Sequence, residues 1–600
     1  MSTAILTGQP VPGSPLEGDL RSLGFDVRAA SDAADAETLL AAVPADERVA
    51  VVDARFVGHV HALRLGLTDP RFDAAAIPGA VTARPAARPA LTKALRTTSG
   101  DASNGSVVVG ILADHVADVL DSDLHRPELG DLVAEVPRDP QARNEARQAV
   151  SQVDDEAIRL RTAVKSRDGF FTTYCISPYS RYLARWCARR GMTPNQVTTA
   201  SLITALIAAG CAATGTRTGF VAAGVLLLLS FVLDCTDGQL ARYSLQYSTL
   251  GAWLDATFDR AKEYAYYAGL ALGAARGGDD VWALALGAMV LQTCRHVVDF
   301  SFNEANVDST STNTSPTAAL SDKLDSVGWT VWVRRMIVLP IGERWAMIAV
   351  LTAITTPRIT FYALLVGCAL AACYTTAGRL LRSLTRKARR TDRAAAALLD
   401  LTDSGPLAHA LTGPLRGVLR GVPAPVTAFA AGAVAVLTAW LAPYGSWLPV
   451  LGAAVYVLLS PAALVRPLKG ALDWLVPPFY RAAEYGTVLV LAAKADVNGA
   501  LPAAFGLVAA VAYHHYDTVY RIRGNAGAPP YWLVRAIGGH EGRTLLVTVL
   551  AALLAATDFK VALTALAVAV ALLVLVESIR FWVTAHRRGA PAVHDEGEPA

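Results

Sequence analysis

The stretch 233–259, LDCTDGQLARYSLQYSTLGAWLDATFD, places Asp234, Asp237, Asp255 and Asp259 inside a chain that is otherwise strongly apolar. Asp234 and Asp237 are three residues apart and Asp255 and Asp259 are four apart, so each pair shares one helical face. Carboxylates are costly in a bilayer and mark functional sites there. Four of them converging in poorly solvated surroundings repel one another unless cations intervene. Hard divalent ions with oxygen ligands, Mg²⁺ or Mn²⁺, meet that need. Such ions leave positions open for substrate phosphates, and a two-metal site clamps a diphosphate during displacement. Gly238, Ala241 and Gly251 are small residues that let a helix or a flat ligand approach the backbone, and Arg242 adds a fixed positive charge at the same mouth. The competing reading, ordinary loop charges paired with Arg242, Arg260 and Lys262, accounts for one or two of the aspartates but not for all four.

The elements that hold these residues read as membrane segments. The 600 residues are 53% hydrophobic and 18% charged, too apolar for one soluble globule and too long for one domain. Residues 1–140 alternate short apolar runs such as RVAVVDARFV with Ala-rich helical stretches, the pattern of a small soluble α/β domain. No basic and then apolar leader opens the chain, so this segment is expected to stay in the cytoplasm. Residues 141–193 read as a polar connector and a juxtamembrane helix. Crossings are expected at 195–214, 217–234, 252–275, 279–301, 342–357 and 359–382, within a domain covering 194–383. A basic linker, 384–424, leads to a second membrane domain, 425–585, with crossings at 425–442, 446–465, 482–496, 500–518, 543–557 and 560–583, and a polar tail at 586–600. The two aspartate pairs then sit at the inner end of the second crossing and the start of the third, joined by a cytoplasmic loop. Arg181, Arg185, Arg189, Arg190, Arg242, Arg334, Arg335, Arg386 and Lys387 fall on one side, against scattered Arg217, Arg276 and Lys560 on the other. That positive-inside pattern predicts a multi-pass plasma-membrane protein with its N-terminus and aspartates facing the cytoplasm. The seven cysteines have no paired or metal-type spacing and read as reduced packing residues.

The two sets of six segments resemble each other. RRGMTPNQVT (189–198) parallels RGVPAPVT (420–427), VLLLLS (225–230) parallels VYVLLS (455–460), and FDRAKEY (258–264) parallels FYRAAEY (479–485). HVVDF (296–300) parallels HHYDT (514–518), and WVRRMIVLPIGER (332–344) parallels WLVRAIGGHEGR (532–543). Pairs in the same order at slowly drifting offset point to duplication. The carboxylates exist once: Leu464 and Pro467 stand where the first copy has Asp234 and Asp237, and Val476 and Tyr480 where it has Asp255 and Asp259. Glu263, His296 and Asp299 recur in the second copy, which argues for helix packing.

The aspartate stretch fills every position of D-x₂-D-G-x₂-A-R-x₈-G-x₃-D-x₃-D and resembles the signature of the CDP-alcohol phosphotransferase (CDP-alcohol phosphatidyltransferase) family. DGFFTTYCISPYSRYLARW and MTPNQVT look like the juxtamembrane helix and first crossing of such enzymes. The resemblance implies a mainly α, polytopic fold: a six-helix CDP-alcohol phosphotransferase bundle, followed here by a degenerate six-helix repeat and preceded by the small α/β cytoplasmic domain. It further implies that Asp234, Asp237 and Asp255 ligate two Mg²⁺ or Mn²⁺ ions on the CDP diphosphate. Asp259 would complete the metal site and act as catalytic base, while Gly238, Ala241, Arg242 and Gly251 would surround the cytidine nucleotide. An acceptor hydroxyl would attack the β-phosphorus of a CDP-alcohol and release CMP. Family members with phosphorylated acceptors line an inner pocket with basic residues, and Arg344, Arg295, Arg334 and Arg335 are the candidates here.

Phosphatidyl transfer from CDP-diacylglycerol in phospholipid biosynthesis is the leading expectation. Transfer from a soluble CDP-alcohol such as CDP-inositol to a polyol phosphate or lipid is the alternative, and a non-catalytic scaffold or transporter is the alternative of a different class. Membrane lipids and a further copy of the chain are expected partners, and nucleic acid is not. The connector running into DGFF resembles that of fused proteins in which a sugar- or inositol-phosphate cytidylyltransferase precedes this membrane domain, which would make residues 1–140 a nucleotidyltransferase fold. The segment lacks the Gly-rich loop ending in Arg and the downstream Lys, so it reads as a degenerate structural or regulatory domain, and a flavodoxin-like module fits almost as well. The second membrane copy reads as a pseudo-enzyme that supplies a packing partner in cis or shapes a lipid entry path.

Overall fold

Alternating β-branched and Ala-rich runs at the N-terminus build one mixed sheet. Its strands are β1 (Ser2–Thr7), β2 (Phe25–Ala30), β3 (Arg48–Asp53), β5 (Ala74–Ile77) and β6 (Ala80–Ala83), in the order β2-β1-β3-β6-β5. β1 runs parallel to β2 and β3, and β6 is antiparallel to β3 and β5. A small ladder pairs β4 (Val57–Gly58) with β7 (Ala134–Glu135). The period of two sorts the strand side chains onto two faces. Ile5, Val49 and Val51 pack with Leu40 and Leu95 on one, and Leu6, Ala50 and Val52 with Leu20 and Leu63 on the other. The covering helices are α1 (Leu16–Ser22), α2 (Ala33–Ala42), α3 (Val60–Leu67), α4 (Arg88–Ser103) and α5 (Leu112–Leu120). This computed structural model describes residues 2–103, 112–120, 124–165, 168–307, 336–385 and 390–587.

Two capped helices, α6 (Pro140–Gln152) and α7 (Asp155–Thr162), lead from the sheet toward the membrane helices, with Asp139 and Asp154 accepting from the Ala142 and Ala157 amides. A π-helical turn at Thr172–Ile176 runs into α8 (Ser177–Arg189), which exposes Tyr179, Tyr182 and Trp186 beside Arg181 and Arg185. Aromatic and basic side chains on one exposed stripe suit the membrane interface.

The crossings expected for the first set fall on α9 (Pro194–Ala213), α10 (Arg217–Ser244), α11 (Thr249–Arg276), α12 (Trp282–Glu304), α13 (Ile341–Ile354) and α14 (Pro357–Thr385). The linker carries α15 (Asp392–Thr402) and α16 (Pro406–Leu419). The second set is α17 (Ala424–Leu441), α18 (Leu448–Leu459), α19 (Val476–Ala495), α20 (Ala500–Arg523), α22 (Gly539–Leu553) and α23 (Ala556–Arg587), with the short α21 (Tyr531–Ile537) before α22. Five of these helices, Pro194–Ala213, Arg217–Ser244, Pro357–Thr385, Ala424–Leu441 and Ala556–His586, are long and apolar enough to cross a membrane. The other expected crossings also lie in helices, but α11, α12, α19 and α20 carry inward-facing charge and α13, α18 and α22 are shorter.

The link between the aspartate pairs differs from the expected loop. Helix α10 runs on to Ser244 and α11 starts at Thr249, so only 245–248 are non-helical. Leu245 takes the left-handed conformation (φ 52°), and the Ser248 hydroxyl accepts from the Gly251 amide. These are a C-terminal stop and an N-cap set back to back. All four aspartates therefore sit on helices.

Backbone contact sets how deeply these helices meet. A Cβ on Gly269 or Gly273 of α11 would lie 2.4 and 2.0 Å from the carbonyl oxygens of Ala209 and Ala212 on α9, and one on Gly224 of α10 would lie 2.4 Å from Ala349 O on α13. Small residues repeated at helical spacing permit this approach. A single apolar core then runs through both membrane sets. Between the sets, Trp253 stacks on Trp582 (6.0 Å between centroids), and Trp282 meets Phe505 edge-on.

Each set contains a charged clamp with the same atoms. In the first, Arg260 Nη1 donates to Glu263 Oε2 (2.9 Å), and Arg344 reaches Glu263 Oε1 with Nε (3.2 Å) and Oε2 with Nη2 (3.3 Å). In the second, Arg481 Nη1 donates to Glu484 Oε2 (2.7 Å), and Arg543 reaches Oε1 with Nε (2.5 Å) and Oε2 with Nη2 (3.3 Å). The packing order also matches, with the first helix of each set on the second and third, and the fourth on the sixth.

Replacing Gly273 with Val is expected to force α9 and α11 apart, destabilising the fold by about 1–3 kcal/mol. Thermal unfolding of the purified protein should read this as a lowered midpoint. Gly210→Val, where the space around the Cβ is open, is the control that should leave the midpoint in place.

Candidate active site

Helix α10 presents Asp234 and Asp237 and α11 presents Asp255, and one oxygen from each lies within 4.8 Å of the others. Asp237 is buried, and its Oδ2 has no hydrogen-bond partner. A buried carboxylate oxygen without a donor is costly. Three convergent carboxylates with one orphaned oxygen form an all-oxygen donor set, which fits a hard divalent cation such as Mg²⁺ or Mn²⁺ and no soft metal.

Asp259 is placed differently. Lys262, one turn along α11 and wholly buried, holds Asp259 Oδ1 with its ammonium at 2.8 Å and also bonds Asp234 Oδ1 and Ser201 Oγ (3.2 Å). Asp259 therefore borders the metal-type group through a lysine bridge. Lys262 entered the sequence reading only as a partner for surface charge. The Asp259-x-x-Lys262 spacing was the available signal for this pair.

The expected nucleotide residues divide by role. A Cβ on Gly251 would come within 2.7 Å of Asn195 Oδ1 and 2.8 Å of Ser248 Oγ, so this glycine also lets α9 and the N-cap close on α11. A Cβ on Gly238 would meet only the Arg242 guanidinium, at 3.5 Å. Ala241 is half-buried one turn along. Arg242 donates from Nε to Ala163 O (2.5 Å), which ties the mouth to the connector after α7. The connector and the N-terminal sheet domain grip the same turn. Arg159 donates to Tyr243 O (2.8 Å) with its guanidinium 3.6 Å from the Tyr243 ring centroid, and Arg71 lies 4.2 Å from that of Tyr247.

Of the arginines expected to face an acceptor, Arg334 and Arg335 lie outside the described residues. Arg344 is buried and engaged with Glu263, which also accepts from Tyr267 Oη (2.7 Å). Arg295 is buried on α12 and bonds Val338 O through Nη2, while its Nε and Nη1 have no oxygen acceptor among the described residues. Glu263, read from the repeat as a packing residue, is the shared anion between Arg260 and Arg344. His296 bonds Tyr516 Oη (2.5 Å) across the two sets, and Asp299 pairs with Arg379. In the second set a further carboxylate enters the clamp. Asp403, at the left-handed end of α15 (φ 54°), contacts Arg543 (2.7 Å), Arg481 (3.2 Å) and His514 (3.2 Å). Among the described residues, Glu263 is the one carboxylate paired with Arg260 or Arg344.

Asp237→Asn is expected to weaken Mn²⁺ binding at least ~10-fold, since altering even an outer partner of a metal ligand costs that much. Free Mn²⁺ measured by electron paramagnetic resonance in a titration checks this.

Comparison with known proteins agrees with this geometry. Residues 191–372 match a family model described as CDP-alcohol phosphatidyltransferase, and residues 392–600 match a family of unknown function (DUF5941). A phosphatidylinositol phosphate synthase of Streptomyces avermitilis is 34% identical over 20% of this chain and 51% of its own length. A bifunctional IPC transferase and DIPP synthase of Thermococcus kodakarensis is 34% identical over 19% of this chain and 25% of its own length. An archaetidylinositol phosphate synthase of Pyrococcus horikoshii is 29% identical over 19% of this chain and 58% of its own length. The chain thus spans about half or less of the first two relatives' length. Residues 191–372, which carry the aspartate cluster, are a domain of the CDP-alcohol phosphatidyltransferase family.

Proposed function

We propose that the first membrane set transfers a phosphatidyl group from a CDP-diacylglycerol-type donor to a hydroxyl of a phosphorylated polyol, releasing CMP, at a site open to the cytoplasm. The observation that carries this reading is the convergence of Asp234, Asp237 and Asp255 around a buried orphan oxygen. A divalent cation held there would neutralise the diphosphate of the donor and the charge that grows on the departing CMP. Asp259 takes the acceptor's proton as its oxygen attacks the β-phosphorus and the bond to CMP breaks. Gly238 and Ala241 leave the face of α10 low enough for the cytosine nucleotide, and Arg242 borders it. Holding both reactants at one membrane face supplies proximity, and the base adds about 10²–10⁴-fold.

The acceptor class follows from unbalanced charge. Arg344 and Arg295 are buried and Arg260 partly so, and among the described residues Glu263 is the one carboxylate paired with Arg260 or Arg344 and Arg295 keeps two nitrogens without an oxygen acceptor. In the second set Asp403 supplies the additional anion. An acceptor phosphate would play the same part in the first set, in line with the phosphatidylinositol phosphate and archaetidylinositol phosphate synthases among the relatives. The bifunctional IPC transferase and DIPP synthase relatives favour a second reading, with a soluble CDP-alcohol as donor.

The second set is best read as a catalytically silent copy. The duplicated clamp and matched packing order support descent from one bundle. Its counterparts of the aspartates are Leu464, Pro467, Val476 and Tyr480, and the Tyr480 hydroxyl is bonded to Ser460 O.

CMP release by the purified protein in lipid with Mn²⁺ or Mg²⁺ tests the reading, with CDP-diacylglycerol against CDP-inositol as donor and inositol phosphate against inositol as acceptor. CDP-diacylglycerol with inositol phosphate is the expected pair, and Asp259→Asn should lower kcat about 10²–10⁴-fold. Arg295→Met should raise the KM for the phosphorylated acceptor about 10-fold or more, the worth of a hydrogen bond to a charged group, with the donor KM unchanged. CMP release from CDP-inositol alone would favour the second reading, and no release from either donor would overturn both.

A further inference from the structure

Lys262 is a residue type that a site built on two divalent cations has no use for. Its side chain is wholly buried on α11, and its ammonium hydrogen-bonds Asp234 Oδ1 and Ser201 Oγ (3.2 Å) and forms an ion pair with Asp259 Oδ1 at 2.8 Å. Ser201 is itself fixed, bonding Ser230 O at 2.8 Å, and the Lys262 nitrogen lies 5.5 Å from the Trp345 ring centroid. This is a built cation site occupied by the chain's own cation. The metal-type group on the other side contains Asp234, Asp237 and Asp255 and leaves Asp259 out.

A Mg²⁺ ion bridging Asp234 and Asp259 would have to lie about 2.0–2.1 Å from their oxygens. That is the space in which the Lys262 ammonium bonds both carboxylates. The two cations exclude each other by volume and by charge in a poorly solvated pocket. Lysine also differs from a metal in what it offers: its ammonium is wholly buried against Asp234, Asp259 and Ser201 and has no open coordination position for a phosphate oxygen.

We infer that Lys262 is a fixed cation standing in place of a second metal ion, so that the site takes one divalent ion, on Asp234, Asp237 and Asp255, with the Lys262 ammonium between Asp234 and Asp259. This inference rests on the metal reading of the aspartates. Lys262 thereby acts as a positioning residue. It orients the Asp259 carboxylate toward the acceptor without a metal bond, and it leaves the single ion to hold the donor diphosphate. The second half has Ala483 in register with Lys262 and Tyr480 in register with Asp259, so the ammonium and its carboxylate are absent together where chemistry is absent.

Counting Mn²⁺ on the full-length protein in detergent or lipid tests this without any assay of turnover. Equilibrium dialysis should find one ion per chain in the wild type, with the six-line resonance of an isolated Mn²⁺. Lys262→Gln, close in size and without charge, should take up a second ion and show the spectrum of an exchange-coupled pair, whereas Lys262→Arg should keep one. Two ions in the wild type, or a single ion of unchanged affinity in folded Lys262→Gln, would overturn the lysine assignment. No Mn²⁺ on the wild type would overturn the metal reading and the assignment with it. The wild-type count stands even where the Gln variant fails to fold.

Discussion

Desolvated charge governs this membrane protein. Carboxylates and guanidiniums buried among apolar helices lose their hydration, and only close, well-bonded partners compensate for it. Several buried ionic groups in the two bundles answer to that constraint. Lys262 lies between two aspartates, Glu263 between two arginines, and Asp403 among Arg481, Arg543 and His514. Compensation is incomplete at other buried groups, two of which matter for the proposed reaction. Asp237 keeps a bare oxygen and Arg295 two bare nitrogens, on the side of the molecule where substrates of the proposed reaction would supply the missing partners.

The two halves solve the same problem with different material. Both close an Arg–Glu–Arg clamp between the third and fifth helices of a set, and this clamp is the most closely matched detail between them. What differs is whether a further anion comes from the chain. In the second half Asp403 arrives from the linker and seals the charge balance. In the first, the clamp stays cationic. A clamp that has internalised its counter-ion has no electrostatic reason to recruit one from solution, which agrees with the uncharged Leu464, Pro467, Val476 and Tyr480 in the second half.

Much of this was legible in the sequence because it rests on periodicity and on charge out of place. The helix starts at Pro194, Arg217, Ile341, Pro357, Ala424 and Ala556 lie within a few residues of the expected crossings, since capping residues and apolar runs mark them. The aspartate cluster stood out because carboxylates in apolar surroundings are rare. The length of the link at 245–248 was not legible, because a leucine in the left-handed conformation carries no sequence signal. Nor was the state of Arg344, which reads as a free cation at the start of a crossing until Glu263 is seen against it. Lys262 was hidden for the same reason: its charge looks like a surface charge unless the facing helix is known. Pairing across helices is a property of tertiary structure, and local pattern does not encode it.

The turn at 245–248 has a mechanical meaning. Four residues that bridge two 28-residue helices hold no slack, so the two carboxylate pairs cannot shift by local loop motion and move only as whole helices move. This short strut is gripped by the N-terminal part of the chain, through Arg159 and Glu156 of the connector on Tyr243 and through Arg71 of the sheet domain on Tyr247. The sheet domain is thus seated on the joint between the helices that carry Asp234 and Asp255. Coupling of this kind is reciprocal: whatever shifts the two helices also shifts the seat on which the sheet domain rests.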